Sequence, residues 1–213
     1  MDEYLPKPVG YRVDPVVSRR IAIAAYLLRG RPMNLSELNA AIIKWADDRE
    51  ITKHSTAYAQ AFKTAEEVEE LVRAHTTWRI VSDYTATEPE AALAEIKDAI
   101  GDIYVTLVVG MACCGTLKRD IDCLANQGAS GQKDPVGCLQ RNLVALSKFA
   151  PQEGDEDPKA MYYAAVGLMI GNLIKVAEDF GTTLEECVNG AYNEIKDRKG
   201  RLLPNGIFEK EST

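Results

Sequence analysis

The sequence has little histidine and no paired-cysteine motif. Its two histidines are His54 and His75, and none of its five cysteines stands in a C-x-x-C pair. Structural zinc sites use such pairs or mixtures of cysteine and histidine. The composition therefore argues against a zinc site, and the odd number of cysteines indicates free, mostly buried thiols.

Long apolar runs and an excess of basic residues are also missing. No segment approaches the roughly 18 uninterrupted apolar residues of a membrane helix, and the opening stretch MDEYLPKPVGYRVDP has no apolar signal core. We therefore expect a soluble cytoplasmic protein with no membrane partner. With 25 Lys and Arg against 32 Asp and Glu, the net charge is −7, so a nucleic-acid polymer is not expected as a partner either. A nucleotide substrate remains compatible if a cation lies between its phosphates and the carboxylates.

Strand patterns are scarce, and a helical period runs through almost the whole sequence. The 213 residues suit one all-α domain, 1–213, folded as a helical bundle. The pattern predicts helices over about 16–28, 36–49, 56–74, 90–111, 138–149, 159–180 and 182–199. The second half of helix 90–111 is apolar on all sides, so this helix should be central. Loops are expected at 82–90, 126–137 and 151–158, and a turn-rich tail follows 199.

Acidic residues cluster on two of these helices. KTAEEVEEL contains Glu66, Glu67 and Glu70 at spacings of three and four, which places them on one helical face. Such runs are usually solvated surface. EIKDAIGD contains Glu95, Asp98 and Asp102 beside buried-type isoleucines, and acids in such an apolar helix need a reason.

Antiparallel packing of the two helices would bring four to six carboxylates together. Like charges in a groove of low dielectric constant repel strongly unless a cation neutralises them. Oxygen ligands with remaining waters suit Mg²⁺, whose coordination substrate phosphates commonly complete. The residues therefore predict a divalent-cation site that binds a polyphosphate and activates a water. Gly101, between Asp98 and Asp102, indicates that something large approaches this helix.

A basic cluster near the end of the chain could serve the same site. Lys196, Arg198, Lys199 and Arg201 lie within six residues of one another, and such side chains suit phosphate oxygens. They also suit an ordinary helix C-terminus, which favours cations.

Three stretches together resemble the MazG-like family of all-α nucleoside triphosphate pyrophosphohydrolases, especially its phage-type members. The first, SELNAAIIKWADDREI followed by AQAFKTAEEVEEL, is similar to the family's opening helix and its K-x-x-E-E-x-x-E-L motif. The second, EIKDAIGDIYVTLV, is similar to its second acidic motif. The third, TTLEECVNGAYNEIKDRKGRLLPNGIFEKE, is similar to its terminal helix and tail. The resemblance covers about 35–112 and 163–211, and 113–162 is then an inserted helical segment.

The resemblance implies Mg²⁺-dependent hydrolysis of NTPs or dNTPs to monophosphate and pyrophosphate, with Mn²⁺ able to replace Mg²⁺. It also implies a homodimer or homotetramer. The implied metal ligands are Glu67, Glu70, Asp98 and Asp102, and the implied catalytic acids are Glu66 and Glu67. The implied nucleotide contacts are Lys63, Asn193, Lys196 and Arg198. Lys63 also suits a salt-bridged surface position, and Trp45 suits either base stacking or, more typically, the core.

Two departures leave alternatives open. The family's second motif is E-x-x-D, and its glutamate position is Ala99 here, so Asp98 or Glu95 would have to substitute. The segment 113–162 is longer than the usual connection and suits an arm, a lid or an assembly surface. The rival functions are a dUTPase-like enzyme specific for one deoxynucleotide and a helical nucleotide-binding protein that has lost catalysis.

Overall fold

The computed structural model describes residues 31–84, 89–151, 159–203 and 208–210. The chain divides at Pro32, and of the first of its two units only Arg31 and Pro32 are described. The helix predicted over 16–28 lies outside the described residues. The second unit begins at Met33.

This unit is all-α, as predicted, with eight helices and one short hairpin in its described part. The helices are α1 (Leu35–Asp48), α2 (Ile51–His54), α3 (Ala57–Tyr84), α4 (Glu90–Cys113), α5 (Lys118–Ala125), α6 (Pro135–Phe149), α7 (Lys159–Asp179) and α8 (Leu184–Ile195). Strands β1 (Gly200–Leu202) and β2 (Phe208–Lys210) pair antiparallel, with Leu202 opposite Phe208.

Capping signals in the sequence set two helix starts. Asn34 and Glu37 form a reciprocal capping box at the start of α1, and Thr183 and Glu186 form another at α8. Gly181 adopts a left-handed φ of 65° just after α7, a conformation that glycine reaches without steric cost. These boundaries were predicted because each depends on a few neighbouring residues.

The central position predicted for helix α4 is confirmed. Its residues from Ile103 to Met111 are buried with the exception of Thr106, and it contacts α1, α2, α3, α5, α7 and α8. A single apolar core surrounds it, to which α6 adds Leu139 and Leu146. Helix α6, within the predicted insertion, packs against α3 and α7.

Three local predictions were wrong in kind, and α8 also ends at Ile195, four residues before the predicted end at 199. Helix α3 continues ten residues beyond the predicted end at 74, because its last turns pack against α6 and Phe180. Helix α5 was not predicted, and its fully buried Ile121 holds it to the core. The tail includes a β-hairpin instead of turns alone. In each case tertiary packing overrides a weak local signal.

The five cysteines are free, as predicted. Only Cys187 is fully buried, and Cys123 is exposed, so the expectation of mostly buried thiols was too strong.

Helix α7 is long and apolar enough, by length and composition alone, to cross a membrane. Most of its apolar window, 61 %, is buried inside the structure, and the core helix of a soluble protein passes the same test. The cytoplasmic location therefore stays a prediction.

Candidate functional site

Helices α3 and α4 run antiparallel and make the most extensive helix–helix contact in the described structure. Gln60 of α3 lies beside Gly110 of α4. About two turns further along α3, Glu67 lies close enough to Asp102 to raise the pKa of Asp102. Advancing along α3 thus means going back along α4. This arrangement turns the two acidic stripes of the sequence toward each other.

A cavity of about 120 Å³ opens beside these stripes; we call it the acidic cavity. Its polar wall consists of Gln60, Lys63, Glu67, Asp102, Thr106 and Arg198. Its apolar wall consists of Trp45, Ile51, Val105, Val109, Ile195 and Phe208. Carboxylates, cations and an aromatic surface therefore meet in one place.

Glu67 and Asp102 are the two acids that line this cavity. Only 15 % of the Glu67 side chain is exposed. Burial raises the pKa of Glu67, Lys63 opposes this effect, and Glu70, Glu66 and Asp98 raise the pKa further. Burial, together with the charges of Glu67 and Asp98, raises the pKa of Asp102 to about 7. Ionisation of one of these carboxyl groups therefore disfavours ionisation of the other.

Asp98 and Glu70 lie at the edge of this acidic group. Both residues are exposed, and Asp98 lines a neighbouring groove between α4 and α8. Partial burial of its carboxyl group raises the pKa of Asp98, and the charges of Glu194 and Glu70 add to this shift. The four predicted metal ligands are therefore electrostatic neighbours, although only two of them face the cavity.

No three of the histidine, cysteine and acidic side chains in the described ranges converge in a geometry that could hold a metal ion. The donor set nevertheless suits a hard cation in its chemistry, since its donors are carboxylate oxygens. Burial and, to a smaller extent, the neighbouring carboxylates raise the pKa values of Glu67 and Asp102, and a bound cation would oppose both effects.

The catalytic candidate Glu66 lies outside the cavity. Its side chain is 58 % exposed and contacts the Lys63 ammonium. Lys63 Nζ also lies 3.8 Å from Glu67 Oε1. Lys63 therefore bridges the exposed and the buried glutamate, which fits both its predicted nucleotide contact and its alternative as a salt-bridged surface residue.

Not all of the basic residues of the C-terminal segment lie at the acidic cavity. Arg198 lines the cavity and opposes the raised pKa of Asp102. Lys196 and Asn193 are exposed, hydrogen-bond to each other at 2.9 Å (Lys196 Nζ to Asn193 Oδ1) and do not line the cavity. Of the three, Arg198 alone is placed to contact a ligand there.

Gly101 explains how the C-terminal segment comes so close to the acids. A Cβ atom at this position would lie 2.5 Å from the carbonyl oxygen of Cys187 and 2.8 Å from Ala191 Cβ. The large object that the sequence led us to expect is thus α8. Its close approach brings Glu194 and Arg198 to the acidic stripe of α4.

Ala99, at the motif's glutamate position, is 4 % exposed and belongs to the core. Of the two substitutes considered, Asp98 contributes to the raised pKa values of Glu67 and Asp102. Glu95 lines only the groove between α4 and α8. Asp98 is therefore the better placed acid.

The aromatic wall combines residues that are distant in sequence. Trp45 is half-buried, donates Nε1–H to the Ile195 carbonyl at 2.8 Å, and meets the edge of the Phe208 ring at 5.8 Å between centroids. The Arg49 guanidinium lies 4.9 Å from the Trp45 ring centroid and donates to the Arg198 carbonyl at 2.7 Å. Sequence reasoning missed Arg49 and Phe208: both lie in stretches that carry the family resemblance, but the resemblance assigns neither of them a role.

Comparison of the chain with protein-family models, with curated proteins and with solved structures found no match.

Proposed function

We propose that this protein is a Mg²⁺-dependent hydrolase that splits nucleoside or deoxynucleoside triphosphates into the monophosphate and pyrophosphate, as members of the MazG-like family do. The observation that carries the proposal is the meeting of Glu67 and Asp102 with Lys63 and Arg198 in one cavity that has an aromatic wall. Each of these groups has a part to play in the reaction.

The acids would hold the cation. Glu67 and Asp102 would be its inner ligands, and side-chain rotation of Glu70 and Asp98 at the edge would complete the set. Bound Mg²⁺ supplies charge neutralisation of the phosphates and polarises a phosphoryl oxygen. The raised pKa of Asp102, about 7, keeps part of its population protonated at neutral pH, so cation binding would release a proton.

The basic residues would bind the phosphates, and a glutamate would activate the water. Arg198 and Lys63 would contact phosphate oxygens that extend through the cavity mouth. Glu67, or Glu66 from its exposed position, would accept a proton from the attacking water and orient it toward phosphorus. Attack breaks the bond between the α-phosphorus and the bridging oxygen, and pyrophosphate leaves with that oxygen.

The aromatic wall would bind the nucleobase of the substrate. Trp45 and Phe208 offer apolar ring surface, and base–aromatic stacking tolerates every base. A cavity of about 120 Å³ is small beside the several hundred Å³ typical of ligand pockets, so it suits the base or the hydrated metal, with the rest of the nucleotide at its mouth. Its shape would decide between general NTP hydrolysis and a dUTPase-like preference.

The test is Mg²⁺-dependent pyrophosphate release from a panel of NTPs and dNTPs. Glu70→Gln and Asp102→Asn should each lower turnover by at least about a hundredfold, because each removes a charge that holds the cation. The matched control is Glu69→Gln, which alters an exposed glutamate of the same helix that contributes to none of the raised pKa values. Wild-type rates in both site variants would overturn the assignment.

A second candidate is a nucleotide-binding protein without catalysis. The buried Ala99 and the missing three-ligand geometry among the described residues favour it. It predicts that nucleotides bind to the folded wild-type chain while no member of the panel releases pyrophosphate.

A further inference from the structure

A second cavity, of about 440 Å³, lies at the other end of α3; we call it the distal cavity. Residues lining it include His75, Trp78, Arg79, Lys133, Val176 and Phe180. It shares no lining residue with the acidic cavity. Trp78 lies eleven residues beyond Glu67 on the same helix, about 16 Å along its axis. This volume falls within the range of small-molecule pockets, roughly 300–1,000 Å³.

The distal cavity exists because α3 continues past the end that its sequence predicts. Thr76 and Thr77 hydrogen-bond back to the carbonyls of Val72 and Arg73 at 2.7 and 3.0 Å, and the helix continues to Tyr84. Spacings of three and four place His75, Trp78 and Arg79 on one face of these added turns. That face meets α6 and the end of α7.

The rim of the distal cavity carries two basic residues, Arg79 and Lys133, and two acidic residues, Asp134 and Asp179. Among the described residues, Arg79 and Lys133 form no ion pair within 4.0 Å, whereas the two acids of the rim are engaged. Asp134 lies 3.7 Å from Arg141 and accepts the Gly137 N–H at 3.0 Å. Asp179 pairs with Lys175. Two cations thus remain available in a protein of net charge −7.

The inner wall is aromatic. The Trp78 and Phe180 rings meet edge to face, with centroids 5.0 Å apart, and the His75 ring meets Phe180 at 5.9 Å. Trp78 and Phe180 are half-buried, while Val176 behind them is fully buried. An aromatic wall in the same cavity as two cations that form no ion pair suits a ligand that joins an aromatic ring to an anionic group.

We propose that the distal cavity binds a nucleoside monophosphate, with its base against Trp78 and its phosphate between Arg79 and Lys133. The choice of a nucleotide rests on the proposed function, since that reaction releases one. The preference for a ring that carries an anion follows from the cavity alone.

The chain offers a reporter for this cavity alone. It has two tryptophans, one in each cavity, so Trp45→Phe leaves Trp78 as the only indole. We expect a nucleoside monophosphate, added with EDTA, to quench Trp78 fluorescence saturably. The free nucleoside and inorganic phosphate should each bind at least about tenfold more weakly, because each lacks one half of the recognised ligand.

Calorimetry on the chain with both tryptophans gives the second readout and does not depend on how Trp45→Phe folds. Arg79→Gln and Lys133→Gln should each weaken binding by about tenfold, while Arg73→Gln, an exposed arginine of α3 outside the cavity, should leave it unchanged. The proposal is overturned if no saturable binding appears up to about 10 mM ligand, if Asp102→Asn abolishes binding, or if the nucleoside binds equally well.

The two proposals fail separately. Saturable quenching of Trp78 without pyrophosphate release would leave the distal site standing and remove the proposed activity. Pyrophosphate release without quenching would do the reverse.

Discussion

Asp102 carries the clearest energetic cost among the described acids. Its pKa of about 7 in the folded chain lies well above the ordinary aspartate value of 3.8, chiefly because the carboxyl group is buried. Between about pH 4 and pH 7 the folded chain keeps a proton that the unfolded chain has lost. The free energy of unfolding therefore falls as pH rises through this window, by up to roughly 4 kcal/mol.

Asp102→Asn removes this cost. In EDTA we expect the variant to exceed the wild type in free energy of unfolding by about 1–3 kcal/mol near pH 8 and by almost nothing near pH 4, because only the ionised carboxylate is penalised. Urea unfolding at both pH values measures the difference. A gain that did not depend on pH would contradict the raised pKa of Asp102, because ionisation of its carboxyl group would then cost the folded chain nothing.

The sequence predicts the positions of the acidic residues better than it predicts which other residues surround them. The spacing of Glu67, Glu70, Asp98 and Asp102 was sufficient to place them on two helical faces. Phe208 could not be assigned, because its contact with Trp45 depends on how the C-terminal hairpin packs against α1. Arg49 could not be assigned, because its hydrogen bond to the Arg198 carbonyl joins segments that are far apart in sequence.

Among the helix–helix contacts, the one between α4 and α8 brings Glu194 and Arg198 to the acidic residues of α4. A methyl group at Gly101 has no room beneath the Cys187 carbonyl. Gly101→Ala should therefore lower the free energy of unfolding by about 1–3 kcal/mol, although alanine favours a helix by about 1 kcal/mol. Thermal or urea unfolding checks this.

The control for that substitution is Gly190→Ala in α8, where no atom lies within 4 Å of the added Cβ. Helix propensity then acts alone, and we expect a gain of about 0.5–1 kcal/mol. If the two variants behaved alike, the close approach of α8 to α4 would be wrong.

Helix ends were predictable where caps define them and unpredictable where packing does. Capping boxes mark α1 and α8. Nothing local announces that α3 continues to Tyr84, since its last turns contain β-branched residues of modest helix propensity. Contact with α6 and Phe180 determines how far α3 continues, and that contact depends on residues that are far away in the sequence.

In the molecule as a whole, a buried polar network joins three helices. Tyr104 of α4 donates its hydroxyl to Asn39 Oδ1 at 2.8 Å, and Asn39 donates to Asp122 of α5 at 2.8 Å. Asn39 is fully buried within α1. Because each member depends on the others, the network fixes how α5 attaches to the bundle.

Tyr104→Phe should lower the free energy of unfolding by about 1–2 kcal/mol, since it leaves the Asn39 carbonyl oxygen buried without this donor. Tyr84→Phe, at a side chain that is 85 % exposed, should change it by less than about 0.5 kcal/mol. Equal effects would mean that the network adds no stability.

The homodimer or homotetramer implied by the family resemblance stays a prediction. Val144 of α6 and Met161 and Leu168 of α7 are large exposed apolar side chains, and such side chains are also common singly on monomers. Light scattering on the purified protein would decide the oligomeric state.

The acidic cavity is assembled from segments that leave the ribosome at very different times. Glu67 and Asp102 are translated first, and Arg198 and Phe208 follow roughly a hundred residues after Asp102. At roughly 5–20 residues per second, the nascent α3–α4 pair waits at least several seconds for its counter-charge and its aromatic wall. The acidic cavity therefore reaches its final form only after Phe208 has been translated.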